Sequence, residues 1–200
     1  VGLAQAGKGA FEGRPTEKFN EVRALFPIPS LTMHFVMRAD SGVTDFAGLE
    51  GKTILLGKGS FGANEGEKYL DLFGLKDKVT LSEAELSNAV AALKNGQIDG
   101  FVTAGSWPAP NVIEAAAGTD VNILSLSDDQ LAMTKRDLTV IPAGTYNGQK
   151  DDIRTSSLSV VAYATTEMDD ETAYQLTKTY WGQKSAMSSN ASWWKGVTQE

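Results

Sequence analysis

An apolar strand that runs into a glycine-rich turn and then directly into a helix is the feature that most restricts this chain. It lies between Lys52 and Leu75, KTILLGKGSFGANEGEKYLDLFGL. Gly57, Gly59 and Gly62 allow the backbone to approach a ligand closely. The first N–H groups of the helix that starts near Phe61 lack intrahelical acceptors and lie at the positive end of its dipole. The pattern predicts an anion site built from main-chain hydrogens.

Around this corner the rhythm is strand, helix, strand, helix. Val1 to Ala6 reads as a short strand, Asn20 to Phe26 as a helical turn, and Ser30 to Ala39 as a strand. In that last segment Leu31, Met33, Phe35 and Met37 alternate with Thr32, His34, Val36 and Arg38, which predicts one well-buried side. Strands follow at Lys52 to Leu56, Val79 to Leu81, Ile98 to Thr103 and Val121 to Leu126, with helices at Gly62 to Phe73, Asn111 to Ala117 and Asp128 to Lys135. Ser82 with Glu85 three residues on reads as a capping box opening the helix that ends at Asn95-Gly96. The sequence of elements predicts a parallel sheet with helices on its faces. After Arg136 the texture changes: a strand at Leu138 to Ile141, a turn at Pro142 to Gly148, a strand at Ser157 to Ala164, a helix at Asp169 to Trp181, and a weakly specified end from Gln183 to Glu200.

The formal charge of −7 and the lack of any Lys/Arg cluster argue against nucleic acid and against an anionic membrane surface. There is no cysteine, so disulfides, thiolate catalysis and Cys-ligated metals are excluded. The longest apolar runs fall short of the ~18 to 20 residues that span a bilayer. VGLAQA at the start reads as the interior of a strand, and the expectation is a piece of a longer chain whose signal peptide is not included. One histidine and no cysteine leave little from which to assemble a nucleophile and its base, so binding is expected rather than catalysis, with no cofactor and no metal.

GKGSFG also satisfies the G-x-G-x-x-G of a dinucleotide site and stands in the strand-to-helix context such a site needs, with Glu83 and Glu85 near the position of a ribose-binding acid. An NAD(P)-type nucleotide-binding domain of an oxidoreductase is therefore the alternative. A third reading is that the glycines only permit a tight corner. Ser60 and Asn64 favour a ligand, because short polar side chains add donors beside the N–H groups.

SGVTDFAGLEGKTILLGKGSFGANEGEKYLDLFGL, then ALKNGQIDGFVTAGSWPAPNVIEAA and IPAGTYNGQ, resemble in order the TAXI family of solute receptors for TRAP-type transporters. Phe61 and Gly62 stand where glycine and threonine are commoner in that family. The resemblance implies an α/β, two-lobed periplasmic-binding-protein fold of type II, with one complete lobe and part of a second. Residues 1–38 would be part of the first lobe, 39–136 the ligand-binding lobe, and 137–200 a return to the first. It further implies a periplasmic receptor that closes over glutamate, glutamine or a related dicarboxylate and delivers it to TRAP-type permease subunits.

The expected ligand contacts are Gly59, Ser60, Phe61, Gly62, Ala63 and Asn64 at the corner. Thr103, Ala104, Gly105 and Trp107 follow a strand and precede a helix, which puts them at the same carboxyl edge, where open α/β sheets hold ligands. Trp107 could equally pack under Pro108 and Pro110. Gln5 is a pocket donor or a solvated loop residue. Tyr146 is a phenol closing over the ligand or a surface turn tyrosine. His34, mid-strand and without a partner motif, reads as a packed residue, and Asp99 as a turn former.

Overall fold

In the computed structural model, which describes residues 2–197, the chain forms two compact units. One comprises Pro29–Ser159; the other is made from the two ends, up to Ile28 and from Val160. The expected ligand-binding lobe, 39–136, falls inside the first of these.

The elements in order are α1 (Gly2–Gln5), β1 (Val22–Arg38), β2 (Thr53–Leu55), α2 (Phe61–Leu72), β3 (Thr80–Ser82), α3 (Ala89–Lys94) and β4 (Gly100–Gly105). They continue as α4 (Pro110–Gly118), β5 (Val121–Ile123), α5 (Asp128–Thr134), β6 (Asp137–Ile141), β7 (Ile153–Thr165) and α6 (Asp170–Asn190). The sheet runs β3-β2-β4-β1-β7-β6, with β5 also pairing with β1. Architecture is α/β, but the sheet is mixed. β2 pairs in parallel with β3 and β4, whereas β1 is antiparallel to β4 and β5, and β6 is antiparallel to β7. The expectation of a parallel sheet holds only for β2, β3 and β4; β5, also reached through a helix, pairs antiparallel with β1, since strand partners are chosen across the fold and not by chain rhythm.

Two apolar layers sandwich this sheet within Pro29–Ser159. Met33, Phe35, Met37, Ile54 and Val102 meet Tyr69 and Leu70 of α2 on one face. Val36, Leu55 and Phe101 meet Val90 and Leu93 of α3 and Val112 of α4 on the other. The alternation in β1 is therefore real, but burial on one side alone is corrected: Thr32 to Met37 are all buried. Its second face tolerates Thr32 and His34 because their polar atoms find partners, which removes most of the cost of burying them.

Several local expectations change. Residues 2–5 are helical, not extended, and Val1 lies outside the described residues. The helical turn expected at Asn20 to Phe26 is a 3-10 turn at Glu17–Glu21 followed at once by β1, whose β-branched and aromatic residues favour extension. Ser82 ends β3, and its Oγ accepts only from the Ala84 N–H, while Glu85 makes no capping bond; the capping box that does form is Ser127 with Gln130, at the start of α5. The helix expected to stop at Trp181 continues to Asn190, with a 3-10 turn at Ser192–Gly196, and residues 198–200 lie outside the described part. Asp169 caps α6 by accepting from the Thr172 N–H at 2.8 Å.

Within the unit formed by the ends, Phe26 stacks on Tyr180 with centroids 4.0 Å apart, and the Tyr180 hydroxyl donates to the Pro27 carbonyl. No residue of α6 is fully buried, and Tyr163 and Tyr174 are exposed. Among the described residues no helix is long and apolar enough to cross a membrane.

Candidate functional site

The glycine corner forms as its composition dictates. β2 ends at Leu55, and Gly57 and Gly59 take φ of +75° and +70°, a region that side-chain-bearing residues avoid. Ser60 is extended at the N-cap of α2, and its Oγ accepts from the Ala63 N–H at 3.0 Å. The Asn64 N–H reaches the Ser60 carbonyl at 3.2 Å. That leaves the Phe61 and Gly62 N–H groups without a hydrogen-bond partner among the described residues. Two free donors thus point out of the positive end of a 12-residue helix.

Gly62 brings this end against β4. A Cβ on Gly62 would lie 2.8 Å from the Ala104 nitrogen and 3.3 Å from the Thr103 carbonyl carbon, so only glycine permits the approach. Gly62 therefore meets Thr103 and Ala104 at the end of β4. Thr103 is buried, and its Oγ1 accepts from the Asn111 Nδ2 at 3.0 Å. A hollow of about 250 Å³ lies beside the corner, bounded by Gly57, Gly59, Ala63, Asn64, Ser82 and Glu83. Lys58 and Glu83 form an exposed ion pair at its rim, and the lysine holds the Glu83 carboxyl below its ordinary range.

The remaining expected contacts separate. Trp107 is half-buried and packs against the α3 and α4 side of the core, in keeping with its packing alternative. Gln5 belongs to the other unit, is exposed, and donates through Nε2 to the Phe19 carbonyl at 3.1 Å. Tyr146 is not a surface residue: it is 3% exposed, and its hydroxyl bonds to His34 Nε2 at 2.8 Å and accepts from the Ala109 N–H at 2.9 Å. Burial pushes the Tyr146 phenol up to about 12. Asp99 does more than form a turn, for its carboxylate accepts from the Thr53 N–H at 2.7 Å and ties β4 to β2.

Two residues escaped the sequence reading. Asn111 was legible only as part of a helix start. Arg136 binds Glu65 of α2 through two hydrogen bonds, at 2.9 and 2.6 Å, and its guanidinium carbon lies 5.9 Å from the Phe61 ring centre. A cation therefore stands beside the first turn of α2, where none was expected, its charge balanced by Glu65. Nothing local to residue 136 signals this, because the pair is 71 positions apart.

A larger hollow of about 390 Å³ opens elsewhere in the same unit, beside Asn122 of β5 and the turn from Tyr146 to Asp152. It contains none of the corner residues.

Among solved structures, the chain is similar to an arginine-, lysine-, histidine-binding protein, ArtJ, from Geobacillus stearothermophilus, at 15% identity over 92% of this chain and 68% of that one, with a TM-score of 0.49. It is also similar to an ABC transporter periplasmic binding protein from Brucella ovis, with glutathione bound, at 13% identity, 62% and 41% coverage and a TM-score of 0.42. A third is the periplasmic aliphatic sulphonate binding protein from Escherichia coli, at 20% identity, 52% and 33% coverage and a TM-score of 0.40. The chain spans between 33% and 68% of the lengths of these three proteins. A description of the NMT1-like family matches residues 1–200, and the chain therefore belongs to the NMT1-like family.

Proposed function

We propose that this chain is the solute-binding part of an extracytoplasmic receptor that captures a small organic anion and delivers it to a membrane transporter, and that it is not a catalyst. The observation that carries the reading is the pair of N–H groups on Phe61 and Gly62, unpartnered among the described residues, at the positive end of α2, with Gly62 set against Thr103 and Ala104. Oriented amides bind a carboxylate without the full desolvation cost of an unpaired charge, and charge-assisted bonds are the strong ones. About 8 kcal/mol is needed for micromolar affinity, within reach of a few such bonds and buried apolar contact.

At its narrowest the proposal names glutamate, glutamine or a related dicarboxylate as ligand, a periplasmic location, and TRAP-type permease subunits as partner, on the TAXI resemblance of the motifs. Residues 39–136 would be the ligand-binding lobe, within a two-lobed periplasmic-binding-protein fold, with 1–38 and 137–200 in the other.

The nucleotide reading keeps one observation in its favour: β2, α2 and β3 form a parallel strand-helix-strand unit, and Glu83 follows directly after β3, where a ribose-binding acid would stand. Lys58 already engages that carboxylate. Calorimetry with glutamate, glutamine, 2-oxoglutarate and an alkyl sulfonate, each against NAD, separates the two. Binding of an acid, abolished in Gly62→Val, supports the receptor; binding of NAD and none of the acids overturns it.

A further inference from the structure

His34 is the only histidine of the chain and is fully buried in the middle of β1. Its two ring nitrogens make hydrogen bonds that together determine its tautomer. Nδ1 lies 3.0 Å from the Thr32 carbonyl, which can only accept, so Nδ1 carries the hydrogen. Nε2 is then the acceptor, and the Tyr146 hydroxyl, 2.8 Å away, donates to it. The same hydroxyl accepts from the Ala109 N–H, at the N-cap of α4. One directional chain of hydrogen bonds thus joins the sheet interior, the turn after Pro142 and the start of α4.

We propose that His34, Tyr146 and the Ala109 amide form a proton-operated latch: the neutral imidazole holds the start of α4 in place, and a second proton on Nε2 releases it. With Nε2 protonated, two donors converge on the Tyr146 oxygen and the phenolic hydrogen loses its acceptor, between side chains that are both buried. The groups facing the ring are the Thr32 carbonyl on its own strand, Tyr146 from the turn, and buried Thr103, its register partner on β4. No charged group contributes to the shift of the imidazole; burial lowers it to about 4, against a smaller upward pull from the Thr32 carbonyl.

The latch bears on the candidate site because Asn111, the second residue of α4, holds Thr103. Acid would loosen that end of the site while the glycine corner stays intact. The latch itself depends on the fold and not on what the corner binds.

The test follows the one imidazole of the full chain by nitrogen-detected NMR, with hydrogen exchange read at Ala109 and at Phe101 in the core. The expected result is a neutral Nδ1–H ring at neutral pH and titration well below the ordinary histidine range. Ala109 protection should then fall about tenfold in step with His34 protonation, the worth of roughly one hydrogen bond, while Phe101 keeps its own. In Tyr146→Phe, Ala109 should already exchange fast at neutral pH and lose its dependence on His34. An Nε2–H tautomer, titration in the ordinary range, or Ala109 and Phe101 losing protection together would each overturn the latch.

Discussion

Gly62 and Ala104 are so close that a single methyl group on the first would lie 2.8 Å from the backbone nitrogen of the second. Helix α2 can present its free N–H groups at the edge of β4 only because this position has no side chain. Gly62→Ala should cost about 1–3 kcal/mol in chemical denaturation, the range for forcing extra atoms into a packed interior. Gly62→Val should cost more and displace the first turn of α2. An unchanged midpoint would show that the helix end shifts freely.

Gly57 carries a second demand on the same corner. Its φ is +75°, and a Cβ there would meet the Leu86 Cβ at 2.6 Å. Gly57→Ala should combine about 1–2 kcal/mol of backbone strain with that clash. Gly59→Ala, with the same sign of φ but open space around it, should show the strain alone. Denaturation midpoints of the two variants read the difference directly.

Ser60 accepts from the Ala63 N–H, so Ser60→Ala should destabilise by about 1 kcal/mol, the usual worth of an N-cap. Ser60→Asp should restore the cap and place a negative charge beside the Phe61 and Gly62 donors. If the corner holds an anion, the aspartate variant should keep its thermal midpoint and lose ligand affinity, which calorimetry and melting together resolve.

The Glu65 side chain is only 9% exposed, and Arg136 is its bidentate partner. Arg136→Met should cost about 2–4 kcal/mol, chiefly by taking both guanidinium hydrogen bonds from a nearly buried carboxylate that keeps only the Lys68 ammonium at 3.9 Å. Replacing both, Glu65→Leu with Arg136→Met, should recover much of that loss. A double variant as unstable as the single would mean that the guanidinium contributes through its contact with Phe61 instead.

Stability should fall with acid because of His34. Its folded-state value, lowered to about 4, lies below the unfolded value of 6.5, so the unfolded chain takes up the proton first. The contribution is complete above the unfolded value, is lost progressively as pH falls from 6.5 toward 4, and changes little below that. It amounts to about 3 kcal/mol at most. His34→Gln should flatten the stability profile across that window.

Local pattern was enough for the corner between β2 and α2. The glycines at 57, 59 and 62, the cap at Ser60 and the apolar spacing of Tyr69 and Leu70 lie within a few residues of each other, so α2 and its corner were legible to within a residue. The alternation in β1 was legible too, because side chains of a strand point to opposite faces whatever lies beyond them. What covers those faces was not: the polar-looking side of β1 is buried because α3, α4 and the Tyr146 turn close over it.

The sequence by itself therefore determined the one corner where β2 gives way to α2, and that this helix would expose N–H groups at its start, since backbone geometry and capping act over a few residues. Only the tertiary structure decided that β1 runs antiparallel to β4, that Arg136 meets Glu65 across 71 positions, and that Tyr146 seals His34 across 112. Those choices are settled by which distant surfaces fill and satisfy one another when the chain collapses, and no short window of residues carries that information.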